Sequence, residues 1–355
     1  MKSINKSVVN LLRPNIRALR PYRSARSEYS GTATTWLDAN ESPYDDGLNR
    51  YPDPLQQELK AVIVQQRQRV GYERLSTDQL FLGNGSDEAI DLLMRAFCEP
   101  GKDHILTQPP TYGMYRVCAD INAIDLVEIP LSEGDFLPDT DTLLRRVTDE
   151  KAKLTFFCSP NNSTGNLMPL DAIRAVAKAA SGLVVVDEAY IDFAEGESAV
   201  TLIELHPNVV VLQTFSKAWG RAGIRLGMAW ASEEIIKILN SIKPPYNINT
   251  LTIDAALARL VEAAKVGQQC AETIREREWL SRKLHQLAIV KRIYPSRANF
   301  LLVAFENATM LYQRLLDAGI VVRDRRNEVA DTLRITVGTP EENRRVIKLL
   351  QRYCD

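Results

Sequence analysis

The run Thr214-Phe215-Ser216-Lys217-Ala218-Trp219-Gly220 sets one lysine just past a strand-like apolar stretch, among hydroxyls and small residues. Most lone lysines are solvated surface charges. Desolvated, the amine loses its proton more readily and becomes a Schiff-base nucleophile toward an aldehyde. Further along, Arg225 carries a fork of donors which, with the hydroxyls of Thr214 and Ser216, suits a phosphate group. Upstream, Val184-Val185-Val186-Asp187-Glu188-Ala189-Tyr190 ends a buried run on a carboxylate. Such a group needs a partner. A protonated pyridine nitrogen would serve, as would an arginine or a helix terminus, and Tyr190 can face the same pocket.

Three further segments carry polar groups that a ligand could use. Leu82-Gly83-Asn84-Gly85-Ser86-Asp87-Glu88 reads as a strand turning into a helix with Ser86 as its N-cap. Free N–H groups and the helix dipole there can hold a phosphate, with Asp87 and Glu88 turned away from it. Glu88 stands where a dinucleotide fingerprint needs glycine, and alone the element is more often an ordinary turn. Thr111-Tyr112-Gly113-Met114-Tyr115 offers a ring that can lie on a flat cofactor, worth about 0.5–1.5 kcal/mol, or simply two half-buried tyrosines. Cys158-Ser159-Pro160-Asn161-Asn162-Ser163-Thr164-Gly165 reads as a turn, whose Asn162 amide could donate to a phenolic oxygen. Late in the chain Arg323 and Arg334 sit inside strand-like runs, where each wants a carboxylate or phosphate, or an intrachain acid.

The elements that must position these groups follow from the apolar patterning. Strand-like runs at Leu80–Leu82, Ile105–Leu106, Leu126–Ile129, Leu154–Phe157, Leu183–Val186, Val209–Leu212 and Leu226–Ala229 alternate with helical ones at Ser86–Phe97, Tyr112–Ala119 and Leu170–Ala180. This alternation predicts an α/β domain with a mostly parallel sheet between helices, its ligand at the strands' carboxyl ends. Lys243-Pro244-Pro245 marks a boundary. Beyond it a helical stretch over Asn249–Leu287, strands at Phe300–Phe305, Val321–Arg323 and Leu333–Val337, a helix near Met310–Ala318 and a terminal helix from Glu341 form an α+β unit. The expected division is an arm over residues 1–50, a large domain over 51–245 and a smaller domain over 246–355. The N-terminal segment is expected to pack on the smaller domain.

Composition narrows the function. The chain of 355 residues has a formal net charge of -1, which gives no pull toward nucleic acid or an anionic membrane. No apolar run approaches a membrane span. Five scattered cysteines and three isolated histidines argue against a disulfide framework and a metal site. A reducing cytoplasm is the expected location. Seven basic residues precede the first acid, Glu28. Such a start can be a transit peptide, but Pro14 and Pro21 interrupt it, and a basic arm near an anionic substrate is the preferred reading.

The ordered set Asn162, Asp187, Tyr190, Lys217, Arg225 and Arg334 resembles the fold-type I pyridoxal-phosphate aminotransferases, and the histidinol-phosphate aminotransferase family among them. Leu37-Asp38-Ala39-Asn40-Glu41, Asn49-Arg50-Tyr51-Pro52, Arg95–Gly101, Pro109–Tyr115 and Leu333–Gly338 carry that likeness from about Leu19 onward. The resemblance implies a seven-stranded sheet domain and a smaller α+β domain built from N- and C-terminal segments. It implies pyridoxal 5'-phosphate on Lys217, which also moves the substrate proton, with Asp187 on the ring nitrogen. Asn162 and Tyr190 would meet the ring oxygen, and Tyr112 the ring face. Ser86, Asp87, Thr214, Ser216 and Arg225 would hold the phosphate. Tyr51 would reach the neighbouring subunit of a homodimer. Arg334 would bind the carboxylate of glutamate, and Tyr22 and Arg323 the phosphate of histidinol phosphate. The reaction implied is amino transfer between L-histidinol phosphate and 2-oxoglutarate. Ser163 departs from the proline usual in the family. The rival readings are an aromatic-amino-acid aminotransferase, a phosphothreonine decarboxylase and a cofactor-sensing regulator.

Overall fold

Alternate residues of the central strands serve two different cores. In the computed structural model, which describes residues 8–22, 29, 31 and 33–354, Val184 and Val186 join one apolar cluster and Val185 the other. The two-residue side-chain period of a strand produces this split, and a sheet covered on both faces needs apolar residues throughout. The strands are β1 (Leu80–Asn84), β2 (His104–Thr107), β3 (Asp125–Glu128), β4 (Leu154–Cys158), β5 (Leu183–Asp187), β6 (Val209–Thr214) and β7 (Leu226–Trp230). Their order is β1-β7-β6-β5-β4-β2-β3. Only β7 runs against its neighbours, so the carboxyl ends of the other six share one edge.

The covering helices are α1 (Gln57–Gln68), α2 (Ser86–Phe97), α3 (Met114–Ile121), α4 (Thr140–Glu150), α5 (Leu170–Ala179) and α6 (Glu233–Ile242). On one face Ile90, Leu93 and Phe97 of α2 meet Phe81, Val185 and Val210, joined by Ile235 and Leu239 of α6. On the other, Leu59 of α1, Leu143 of α4 and Ile173 of α5 pack over Phe157, Val186 and Val211. Burying side chains of this size stabilises the fold by about 1.5–3 kcal/mol each.

The helical stretch expected over Asn249–Leu287 is made of two helices, α7 (Thr250–Val261) and α8 (Ala263–His285), parted at Glu262. Buried Arg259 spans the break: it donates to the Trp219 carbonyl at 2.8 Å, to Glu262 at 2.7 Å and to Gln269 at 2.7 Å. The turn that carries Lys217 is thereby fixed from behind. A second, antiparallel sheet is ordered β10-β11-β9-β8. It comprises β8 (Val290–Ile293), β9 (Phe300–Phe305), β10 (Arg323–Asp324) and β11 (Thr332–Thr336), and packs with α8, α9 (Ala308–Asp317) and α10 (Pro340–Leu350). Sequence patterning misses β8, whose burial is only partial.

The start of the chain corrects one expectation. Val8 and Leu12 lie in the core with α2 and α6, and the Arg13 N–H donates to the Ala96 carbonyl at 3.0 Å. Residues 8–17 therefore lie on the large unit, because two apolar side chains find a groove there. Residues 39–52 instead meet the 246–251 stretch, where Tyr51 stacks on Tyr246 at 4.4 Å.

Candidate active site

Four parallel strands deliver the chemical groups to one edge. β5 ends on Asp187, β6 on Thr214 with Lys217 in the following turn, β4 leads into Asn162, and β1 into α2. They enclose a cavity of about 170 Å³ lined by Ser86, Asp87, Tyr112, Asn162, Asp187, Tyr190, Thr214, Ser216, Lys217 and Arg225. Every cofactor residue expected from the sequence except Tyr51 is therefore in one place.

Asp187 is 2% exposed, and burial raises its carboxyl from 3.8 to about 6. Two donors oppose that rise: Tyr115 Oη at 2.9 Å to Oδ2 and the Ala189 N–H at 3.1 Å to Oδ1. Tyr115, itself 1% exposed, stacks on Phe156 at 4.6 Å. It is a positioning residue that sequence reading treated as a half-buried tyrosine. Its place one helical turn beyond Tyr112 was the available signal. Asn162 Nδ2 donates to Tyr190 Oη at 3.4 Å, and its Oδ1 accepts from Arg334. Tyr112 donates to Asp87 Oδ1 at 3.2 Å.

Burial lowers the Lys217 ammonium, and Arg334 lowers it further, while Asp187 opposes both. Its Nζ stands 5.5 Å from the Tyr190 ring centre. Arg334 packs over Phe300 at 5.0 Å, and its Nε–H has no partner among the described residues. The thiol of Cys158 is pushed up by burial and stays protonated.

The phosphate end is a cradle built by two glycines. Gly85, not Ser86, caps α2 with φ 75. A side chain there would begin 2.7 Å from Arg225 Nη2 and displace the guanidinium, while the positive φ itself favours glycine. A Cβ on Gly227 would lie 2.1 Å from the Ser86 nitrogen. Strand β7 thus presses against the opening turn of α2, and the Gly85 N–H donates to the Arg225 carbonyl at 2.7 Å. Thr214 Oγ1 accepts from the Ser216 N–H at 3.1 Å. Helix N–H groups, hydroxyls and one guanidinium form an anion site. Together with a buried carboxylate, a ring-facing tyrosine and a desolvated lysine, this donor set fits a planar aldehyde carrying a ring nitrogen, a phenolic oxygen and a phosphate.

The remaining expected residues lie elsewhere in the chain. Tyr51 is held against Tyr246. Tyr22, 72% exposed, lines a surface cleft with Arg13, Arg20 and Lys243. Arg323 is cross-strand partner to Arg334 but lines a neighbouring cleft with Tyr312 and Thr336. The described residues contain no cluster of histidine, cysteine and acidic groups able to hold a metal.

The family model for class I and II aminotransferases matches residues 25–350. The histidinol-phosphate aminotransferase of Cytophaga hutchinsonii is 47% identical over 98% of this chain and 99% of its own. That of Bacteroides thetaiotaomicron is 46% identical over the same shares, 98% and 99%. Among solved structures, the histidinol-phosphate aminotransferase from Clostridium acetobutylicum superposes with a TM-score of 0.77 at 25% identity, covering 86% of this chain and 91% of that one. An L-threonine-O-3-phosphate decarboxylase from Porphyromonas gingivalis, at 22% identity and a TM-score of 0.72 over 86% and 91%, shares the fold alone. Sequence, sheet order and strand-end chemistry agree: the chain belongs to the class I and II aminotransferases and, within them, to the histidinol-phosphate aminotransferase family.

Proposed function

We propose that this enzyme transfers an amino group between L-histidinol phosphate and 2-oxoglutarate, giving imidazole acetol phosphate and L-glutamate, with pyridoxal 5'-phosphate as cofactor. The supporting observation is the convergence of Lys217, Asp187 and Arg225 on one cavity, with Arg334 beside it. The cofactor supplies an electron sink for the bond breaking at the donor's Cα. Lys217 holds it covalently and then moves the Cα proton, for which a lowered ammonium pKa is suited. Asp187 keeps the ring nitrogen protonated, Asn162 and Tyr190 donate to the ring oxygen, and Tyr112 covers the ring. Ser86, Asp87 through its backbone, Thr214, Ser216 and Arg225 bind the cofactor phosphate. Arg334 takes the glutamate carboxylate, and Tyr22 and Arg323 the donor phosphate.

Tyr51 lies outside the Lys217 cavity of its own chain, which supports a homodimer in which it serves the neighbouring copy. Mixing Lys217→Ala with Tyr51→Phe subunits then restores sites that neither parent has intact. Among the described residues no helix is long and apolar enough to cross a membrane, and we place the enzyme in the cytoplasm.

The test is spectroscopic. L-histidinol phosphate alone moves the visible band of the bound cofactor, and 2-oxoglutarate restores it. A response to glutamate but not to histidinol phosphate removes the proposed donor. Absence of any bound-cofactor band removes the assignment of Lys217.

A further inference from the structure

The Asn162 loop and the turn between β10 and β11 meet at a contact that the amino-transfer chemistry leaves unused. Ser163, fully buried, donates its hydroxyl to Glu328 Oε2 at 2.8 Å. The other oxygen of Glu328 is paired with Arg325. One residue earlier, Asn162 reaches Arg334. Adjacent positions of one large-domain loop thus grip two arginines of the small sheet region. A proline at 163 has no hydroxyl and could not make the first of these contacts.

Arg325 is 14% exposed at its side chain, and its Nε–H meets no partner among the described residues. Its charge is felt at both Tyr190 and Arg334. The local charges do not balance. Asp324 is taken by Arg326 at 2.6 Å. Arg334 has the neutral Asn162 amide and the face of Phe300. Among the described residues Glu328 is the acid paired with Arg325, while exposed Arg323 stands across the strand from Arg334. Two partly buried guanidinium groups, Arg325 and Arg334, against the one carboxylate of Glu328 leave an excess of positive charge that is costly to bury unless an anion completes it. A phosphate monoester, carrying close to two negative charges, completes it better than a carboxylate.

We propose that Ser163, Glu328 and Arg325 form a clasp that holds Arg325 beside Arg334, so that the site favours an amino donor ending in a dianionic phosphate over one ending in a carboxylate. This rests on the donor proposed above and adds the residues that set its selection. Ser163 and Glu328 are positioning residues, and Arg325 supplies the charge.

The experiment titrates the holoenzyme's visible band with L-histidinol phosphate and, separately, with L-glutamate. Interaction energy scales with ligand charge, so Arg325→Gln raises the half-saturating concentration of histidinol phosphate about tenfold and that of glutamate about threefold. Ser163→Ala moves both in the same proportion by smaller amounts, and Arg325→Lys recovers part of the preference. Inorganic phosphate raises the melting temperature of the unmodified enzyme more than that of Arg325→Gln. Equal shifts for the two donors, or a lowered melting temperature with the preference intact, overturn the clasp. If the unmodified enzyme responds to glutamate but not to histidinol phosphate, the proposed donor fails and the clasp falls with it. If the unmodified enzyme responds to both donors and the variants keep its preference, the clasp alone fails.

Discussion

Replacing Tyr115 with phenylalanine removes one hydroxyl and leaves the ring stacked on Phe156. The lost bond, 2.9 Å from Tyr115 Oη to Asp187 Oδ2, joins two residues exposed by 1% and 2%, so water cannot replace it. A hydrogen bond to a buried charge is worth about 1.5–3 kcal/mol. At about 1.4 kcal/mol per pH unit, losing it moves the carboxyl of Asp187 from about 6 to about 7–8 in the cofactor-free protein. The protonated ring nitrogen pairs with the ionised carboxylate, so cofactor affinity falls as acid protonates Asp187. In the variant that fall begins at higher pH, and at pH 7 the ionised fraction of Asp187, and cofactor affinity with it, is about twofold lower at the small end of that energy range and about tenfold lower at the large end. Equilibrium binding of pyridoxal phosphate across pH 5 to 9 reads the midpoint directly. An unchanged midpoint in Tyr115→Phe would refute the role given to this hydroxyl, whatever happened to turnover.

Other predictions follow from the same packing. Gly227→Ala places a Cβ 2.1 Å from the Ser86 nitrogen; backbone must move, and thermal unfolding should show a loss of about 3 kcal/mol together with weakened cofactor binding. Burial raises Glu188 from 4.5 to about 7, so its contribution to stability is present below about 4.5 and lost as pH rises through 7. Glu188→Gln should flatten the fall in melting temperature between pH 5 and 8, and an unchanged slope would contradict it. Arg259→Ala removes the three bonds that brace the Trp219 carbonyl and Glu262. It should cost about 3 kcal/mol in denaturant unfolding and raise hydrogen exchange around Lys217.

Short-range pattern made the large unit legible. Strand runs such as Leu183–Val186 and helix faces such as Ile90, Leu93 and Phe97 report burial through a period that the chain carries locally. Lys217, Asp187 and Asn162 stand at or just past the carboxyl ends of parallel strands, where an open sheet binds its ligand; Arg225 stands ahead of antiparallel β7, and the set was identified by its resemblance to a family. Patterning did not reveal β8, the break at Glu262 or the seat of Val8 and Leu12, since each depends on partners distant in the chain. The same holds for the contacts that tune the site. Tyr115 acts through Asp187, seventy-two positions away, and Ser163 meets Glu328 across one hundred and sixty-five. The sequence by itself determined which chemical groups exist and which strand ends carry them. Tertiary structure alone decided their partners, because burial and hydrogen bonding are properties of neighbours in space, and these set the charge states on which the chemistry depends.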